Sequence, residues 1–185
     1  EILLMPTWRN WLEDISEEAF RKSEYYQRYE TLLQDERLRT ILERENITLN
    51  FYIHAKFRER LGNFYTEDRH IRLIPFGTVP LNQLLMSCHM LITDYSSVSW
   101  EVYYQGKPVV FYPFDLETYE KAHGSYVDYR KDVFGDLAWT EEELLDTIES
   151  YAKNNFQEKP EYAKRRDTLL PYRDHNNSKR IYEAI

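Results

Sequence analysis

The stretch LITDYSSVSWEVYYQGKPVVFY, Leu91 to Tyr112, separates two apolar runs by a polar turn and one helix length. The first run, Met90 to Thr93, and the second, Pro108 to Tyr112, are too uniformly apolar to alternate, as expected of strands covered on both faces of a parallel sheet. Parallel neighbours need a crossover of about a dozen residues. Val98 to Gln105 reads as that crossover helix, so the stretch is a β-α-β unit with Asp94-Tyr95-Ser96-Ser97 at the carboxyl end of its first strand.

Further strand-length apolar runs occur at Ile2 to Met5, Leu49 to Ile53 and Ile71 to Ile74. Helical segments fall within Glu18 to Asn46, Lys56 to Leu61 and Leu81 to Cys88. This alternation predicts an α/β fold with an open, doubly wound parallel sheet. Beyond Tyr112 the reading is of loops around Asp115 to Asp136. A helix then starts at the N-cap Thr140 and runs through Asn154, with further helices over Pro160 to Leu169 and Asn177 to Ile185.

The 185 residues are 42% hydrophobic and 16% aromatic, enough for one domain around one core. A formal charge of −8 excludes a general polyanion binder, because phosphate-backbone affinity comes from clustered Lys and Arg, and no nucleic-acid partner is expected. The single cysteine, Cys88, excludes an internal disulfide. The histidines lack ligand-like spacing, so no metal centre is expected. No apolar run of ~20 residues and no charged-then-apolar leader is present, which predicts a cytoplasmic, soluble segment. EILLMP puts a core-like strand at Glu1, and the chain therefore reads as starting inside a larger protein.

Three strand-end loops carry candidate chemistry. After the Met90 to Thr93 strand, Ser96 and Ser97 can offer hydroxyls and amides to a phosphate, although Asp94 and the serines serve equally well as helix caps. The loop is neither a Walker motif nor a Gly-x-Gly-x-x-Gly fingerprint. LNFYIHAKF places His54 at the end of another strand, where an imidazole can donate to a phosphoryl oxygen or protonate a leaving phosphate. MPTWRNW places Thr7 and Arg9 after the first strand, with Arg9 either a bidentate phosphate ligand or a surface arginine beside a packing tryptophan.

Taken in order, MPTWR (Met5 to Arg9), the strand ending in His54, LITDYSSV (Leu91 to Val98), KPVVFYPFDLETY (Lys107 to Tyr119), GSYVDY (Gly124 to Tyr129) and DHNNSKR (Asp174 to Arg180) give the chain its family likeness. It resembles the CDP-glycerol glycerophosphotransferases, the teichoic acid primases and polymerases of bacterial cell-wall synthesis. The resemblance implies a Rossmann-like half of a GT-B architecture. Residues 1–185 would then form a single CDP-donor-binding domain, the carboxyl-terminal half of a two-domain enzyme whose amino-terminal domain is missing here. It further implies transfer of glycerol phosphate or ribitol phosphate from CDP-glycerol or CDP-ribitol to a lipid-linked polymer acceptor, releasing CMP, with no cofactor. The location implied is peripheral, at the inner face of the cell membrane, with membrane contact through other parts of the parent protein.

In that family frame His54 matches the carboxyl-domain active-site histidine, and Ser96 and Ser97 match the phosphate-binding loop. Thr7, Arg9, Thr93 and Asp94 join them as expected donor-binding positions. Glu101 is a candidate for the ribose hydroxyls or an exposed helix acid. Ser178, Lys179 and Arg180 either bring a helix start and two cations to the donor or cap and solvate the last helix. Asp115 and Asp128 sit in family motifs as ligand contacts or as loop-ordering acids. The chain departs from the family where His123-Gly124-Ser125-Tyr126 replaces Arg-Gly-Phe-Tyr, where Phe134-Gly135-Asp136 replaces a Pro-Gly-Pro, and where His175 replaces Gly. A non-catalytic nucleotide-binding module and a nucleotide-sugar GT-B glycosyltransferase are the alternatives.

Overall fold

The apolar runs pair into one six-stranded, all-parallel sheet in the computed structural model, which describes residues 1–124 and 127–185. Its strands are β1 (Ile2–Leu4), β2 (Leu49–Tyr52), β3 (Ile71–Ile74), β4 (Met90–Thr93), β5 (Val109–Phe111) and β6 (Asp136–Leu137). Their spatial order is β3-β2-β1-β4-β5-β6. The register sets Leu3 between Asn50 of β2 and Leu91 of β4. Ser125 and Tyr126, in the GSYVDY motif, lie outside the described residues.

Side chains alternate along each strand and so feed two cores. Ile2, Leu4, Phe51, Ile92 and Val110 pack with Phe20, Leu32, Ile41 and Ile148. These come from helices α1 (Glu17–Arg21), α2 (Glu24–Gln34), α3 (Glu36–Arg44) and α7 (Glu141–Lys153). Leu3, Leu91, Val109 and Phe111 instead face Leu84 and Leu85 of α4 (Leu81–Ser87) and Val102 and Tyr103 of α5 (Val98–Tyr104). Both faces of the central strands β1, β2, β4 and β5 are therefore buried, while the edge strands β3 and β6 are partly open.

The helical segments within Glu18 to Asn46 are three helices, the first starting at Glu17. Ser16, Ser23 and Asp35 each accept an amide hydrogen from the residue three positions on, giving the chain three separate N-caps in this span. Thr140 caps α7 in a reciprocal capping box with Glu143. Lys56 to Leu61 lies inside a 3-10 run, Ala55–Asn63, whose first residue follows His54.

The segment read as loops contains α6 (Leu116–His123) and the edge strand β6, where Val110 pairs with Asp136 and Phe111 with Leu137. A Cβ on Gly135 would sit 2.1 Å from the Val109 carbonyl oxygen, so β6 can approach β5 only with glycine there. Helices α8 (Pro160–Leu169) and α9 (Asn177–Glu183) end the chain. Among the described residues no helix is long and apolar enough to cross a membrane. No group of three or more His, Cys, Asp and Glu among them gathers as metal ligands.

Candidate active site at the carboxyl edge of the sheet

The strand order reverses between β1 and β4, and the loops leaving their carboxyl ends diverge there, opening a crevice of the kind that receives ligands in open α/β sheets. The loops are held by a buried cluster. Arg9 donates from Nη2 to Asp94 Oδ2 (2.8 Å) and Asp115 Oδ1 (2.8 Å), from Nε to Asp115 Oδ2 (2.7 Å) and from Nη1 to the Thr7 carbonyl (2.7 Å). Asp94 Oδ1 accepts from the Thr7 amide (2.8 Å) and the Tyr95 amide (2.7 Å). The Tyr95 hydroxyl donates to Asp115 Oδ1 at 2.9 Å. One guanidinium thus joins the chain ends after β1, β4 and β5.

Burial alone would favour loss of the Arg9 charge, but Asp94 and Asp115 outweigh it and hold its pKa well above the ordinary value. The Tyr95 phenol is pushed far up, first by burial and then by Asp115 and Asp94, so it stays protonated and donates. Its ring stacks on Tyr119 of α6 at 3.7 Å, and the Arg9 guanidinium lies 4.8 Å from its centre.

Above this cluster is a cleft of about 320 Å³. Ser96, Ser97 and Ser99 line it together with Tyr95, Tyr119, Tyr129, Trp100, Phe111, Val127 and Phe134, and with His123 and Gly124 at the end of α6. Ser96 Oγ accepts from the Val98 amide at 3.4 Å, while the exposed Ser97 makes no side-chain cap bond. The Ser97 hydroxyl is therefore uncommitted in the helix start.

His54 does not line the cleft. It stands beside it, stacked on Trp8 with ring centres 6.0 Å apart, and Trp8 meets His123 edge-on at 5.9 Å. His54 Nδ1 accepts from the Lys56 amide at 3.2 Å, which leaves the neutral ring's proton on Nε2. Burial, then the Lys56 charge, lowers the His54 pKa against a smaller opposing effect of Asp94. Lys56 Nζ itself lies 5.5 Å from the centre of the Trp8 ring and 2.8 Å from Glu13.

The other expected site residues divide by burial. Thr7, Arg9, Thr93 and Asp94 form scaffold beneath the cleft. Arg9 and Asp94 are fully buried, and the arginine spends Nε, both Nη2 hydrogens and one of its two Nη1 hydrogens on Asp115, Asp94 and the Thr7 carbonyl. Thr93 Oγ1 donates to the Met5 carbonyl at 2.6 Å across the β1–β4 gap, and Thr7 Oγ1 is buried without a hydrogen-bond partner among the described residues. Asp115 and Asp128 order loops: Asp128 accepts from the Arg130 amide at 2.9 Å.

Glu101 is exposed on α5 outside the cleft lining. Ser178, Lys179 and Arg180 sit on α9, also outside it, where Arg180 is bound by Asp174 (2.6 Å) and lies 4.2 Å from the Tyr172 ring centre. Lys179 is 3.7 Å from Glu183. Missing from the sequence-based set are Tyr95, Trp100, Tyr119, His123 and Phe134. Their signals in sequence are aromatic density around two serines, the family motif that ends in Tyr119, and the family departures at His123 and Phe134; α6 and the β6 approach bring Tyr119 and Phe134 to the cleft.

A family model described as CDP-Glycerol:Poly(glycerophosphate) glycerophosphotransferase matches residues 1–185. The minor teichoic acid biosynthesis protein GgaB of Bacillus subtilis (strain 168) is 32% identical over 194 residues, covering 100% of this chain and 21% of GgaB. The teichoic acid ribitol-phosphate polymerase TarL of Staphylococcus aureus (strain NCTC 8325 / PS 47) is 28% identical over 188 residues, covering 100% of this chain and 30% of TarL. The chain spans less than a third of the length of these curated relatives. A solved structure of the wall teichoic acid polymerase TagF superposes with a TM-score of 0.67 at 18% identity, covering 99% of this chain and 42% of that one, which shows a shared fold. With the family model matched from first residue to last, the chain belongs to the CDP-glycerol:poly(glycerophosphate) glycerophosphotransferase family.

Proposed function

We propose that residues 1–185 are the CDP-donor-binding domain of a transferase that moves glycerol phosphate or ribitol phosphate from a CDP-alditol to a hydroxyl of a lipid-linked wall or capsule polymer. The observation that carries the reading is the cleft lined by Ser96 and Ser97 at the reversal of strand order, in a chain matched over its whole length by this family. A second domain supplies the acceptor side and the group that deprotonates the acceptor hydroxyl. The enzyme works at the inner face of the membrane, where the lipid-linked acceptor resides.

In the transfer, the acceptor oxygen attacks the phosphorus that bears the alditol, the bond from that phosphorus to the CMP oxygen breaks, and the acceptor proton passes to the base. Negative charge accumulates on the leaving phosphate, and catalysis consists largely of positioning and of stabilising that charge. Ser96, Ser97 and the amides around them hold the diphosphate. His54, neutral with its proton on Nε2, donates to a phosphoryl oxygen as the bond to CMP breaks. Arg9, Asp94 and Asp115 act by fixing the three loops, and Trp8 by holding the imidazole ring.

The test is CMP release by the full-length protein from CDP-glycerol and, separately, CDP-ribitol, with a lipid-linked acceptor. Release with polymer growth, lost in His54→Ala, is the expected outcome. CDP binding without release from either donor would indicate a non-catalytic module, and turnover of a UDP-sugar instead would indicate a glycosyltransferase.

A further inference from the structure

The cleft is short of positive charge. Among the described residues no lysine or arginine lines it. Arg9, under the Tyr95 wall, is committed to two carboxylates, so the buried set of Arg9, Asp94 and Asp115 carries one positive and two negative charges. A nucleoside diphosphate settling on Ser96 and Ser97 meets hydroxyls and amides against a net negative floor. Phosphate recognition ordinarily adds a cationic donor.

His123 is the one basic side chain among the described residues that line the cleft. It is the last residue of α6 and exposed. Its ring is set by Tyr119 (4.8 Å between centres), Trp8 (5.9 Å) and Trp11 (6.0 Å). Among the described residues no hydrogen bond engages its Nδ1 or Nε2. The aromatic neighbours therefore fix the plane of the ring and leave its nitrogens available. Trp8 also carries His54 on its other contact, so the two imidazoles flank one indole beside the cleft.

We infer that His123 is a donor-contacting residue that offers a ring N–H, and positive charge when protonated, to the diphosphate bound at Ser96 and Ser97. The inference rests on the donor-binding reading above and deepens it by naming the group that opposes the diphosphate charge. A purely structural His123 would serve the Trp8, Trp11 and Tyr119 packing alone, and a phenyl ring would replace it.

The experiment is calorimetric titration of the full-length protein with CDP and with cytidine, for wild type, His123→Phe and His123→Arg, with melting temperatures recorded for each. Loss of one charge-assisted hydrogen bond should weaken CDP binding by about tenfold or more in His123→Phe. Cytidine affinity should stay unchanged, and His123→Arg should regain most of the CDP affinity. Unchanged CDP affinity in a folded His123→Phe protein, or equal losses for CDP and cytidine, would overturn the inference and assign the ring to packing. Should wild type itself bind no CDP, the donor-binding reading and this inference fall together, whereas a CDP-binding wild type matched by His123→Phe sinks only the inference.

Discussion

Arg9 and Asp94 meet at 2.8 Å with neither side chain exposed, and the pair ties the end of β1 to the end of β4 where the strand order reverses. Asp115, 2.7 Å from Arg9 Nε, brings the β5 end into the same knot. The guanidinium that looks in sequence like a phosphate ligand is the internal fastener of the loops that form the site.

Removing one member of such a buried set leaves an uncompensated charge. Arg9→Met should lower unfolding free energy by about 3–5 kcal/mol, read by urea denaturation. Arg9→Lys should recover little of this, because a point ammonium cannot serve both carboxylates and the Thr7 carbonyl as the planar fork does. A stable Arg9→Met protein with weakened CDP binding would instead return Arg9 to the ligand.

Ser97 is exposed at the cleft and makes no side-chain cap bond, so its replacement should not cost fold stability. Ser97→Leu should leave the melting temperature within a degree or two, since surface substitutions away from special features stay within about 0.5 kcal/mol. The same variant should weaken CDP binding by about tenfold or more, through bulk at the phosphate seat and the lost hydroxyl. Full CDP affinity in that variant would move the phosphate seat away from this loop.

His54 should separate chemistry from binding. In the full-length enzyme His54→Ala should lower kcat by about a hundredfold or more while CDP affinity changes little. Normal turnover by this variant would leave His54 without a chemical role.

The same residue makes a pH prediction. The folded-state pKa of His54 is depressed, chiefly by burial and then by Lys56, so the folded protein binds fewer protons there than the unfolded chain. The stability this contributes is present above the unfolded value of ~6.5 and is lost as pH falls through the folded value. The stability gap between wild type and His54→Gln should be level from neutral pH upward and should shift against wild type on acidification. A gap independent of pH would mean that the ring is not held neutral.

Gly135 tests the edge of the cleft. A methyl group there would lie 2.1 Å from the Val109 carbonyl oxygen, so Gly135→Ala must part β6 from β5. The expected loss is about 1–3 kcal/mol or more, measured by denaturation. CDP affinity should fall with it, because the neighbouring Phe134 forms the cleft wall against Trp100 at 4.1 Å.

The parallel sheet was legible because burial on both faces demands largely apolar runs of strand length, and five of the six strands carry them, interrupted only by Asn50 in β2, Arg72 in β3 and Thr93 at the end of β4. The three helices between β1 and β2 were readable as helix but not as three, since Ser23 and Asp35 are caps only when the backbone turns there. Strand β6 has no such run: Asp136 and Leu137 are a strand because they pair with Val110 and Phe111, a fact of long-range contact. Helix α6 opens on Asp115 without a side-chain cap bond, because that carboxylate is taken by Arg9 and Tyr95.

The sequence by itself determined the fold class, the family and the strand-end positions of Ser96, Ser97 and His54, because local periodicity and motif order act over a few residues at a time. Tertiary structure alone decided which polar side chains line the cleft. Arg9 and Asp94 satisfy each other inside and Thr93 donates to the Met5 carbonyl, where an unpaired polar group is costly, and the cleft wall falls to Tyr119, His123 and Phe134, which reach it from elements far along the chain. Whether a charged residue binds substrate or holds the scaffold depends on which partner lies within hydrogen-bond reach after folding, and that distance is set by the packing of the sheet.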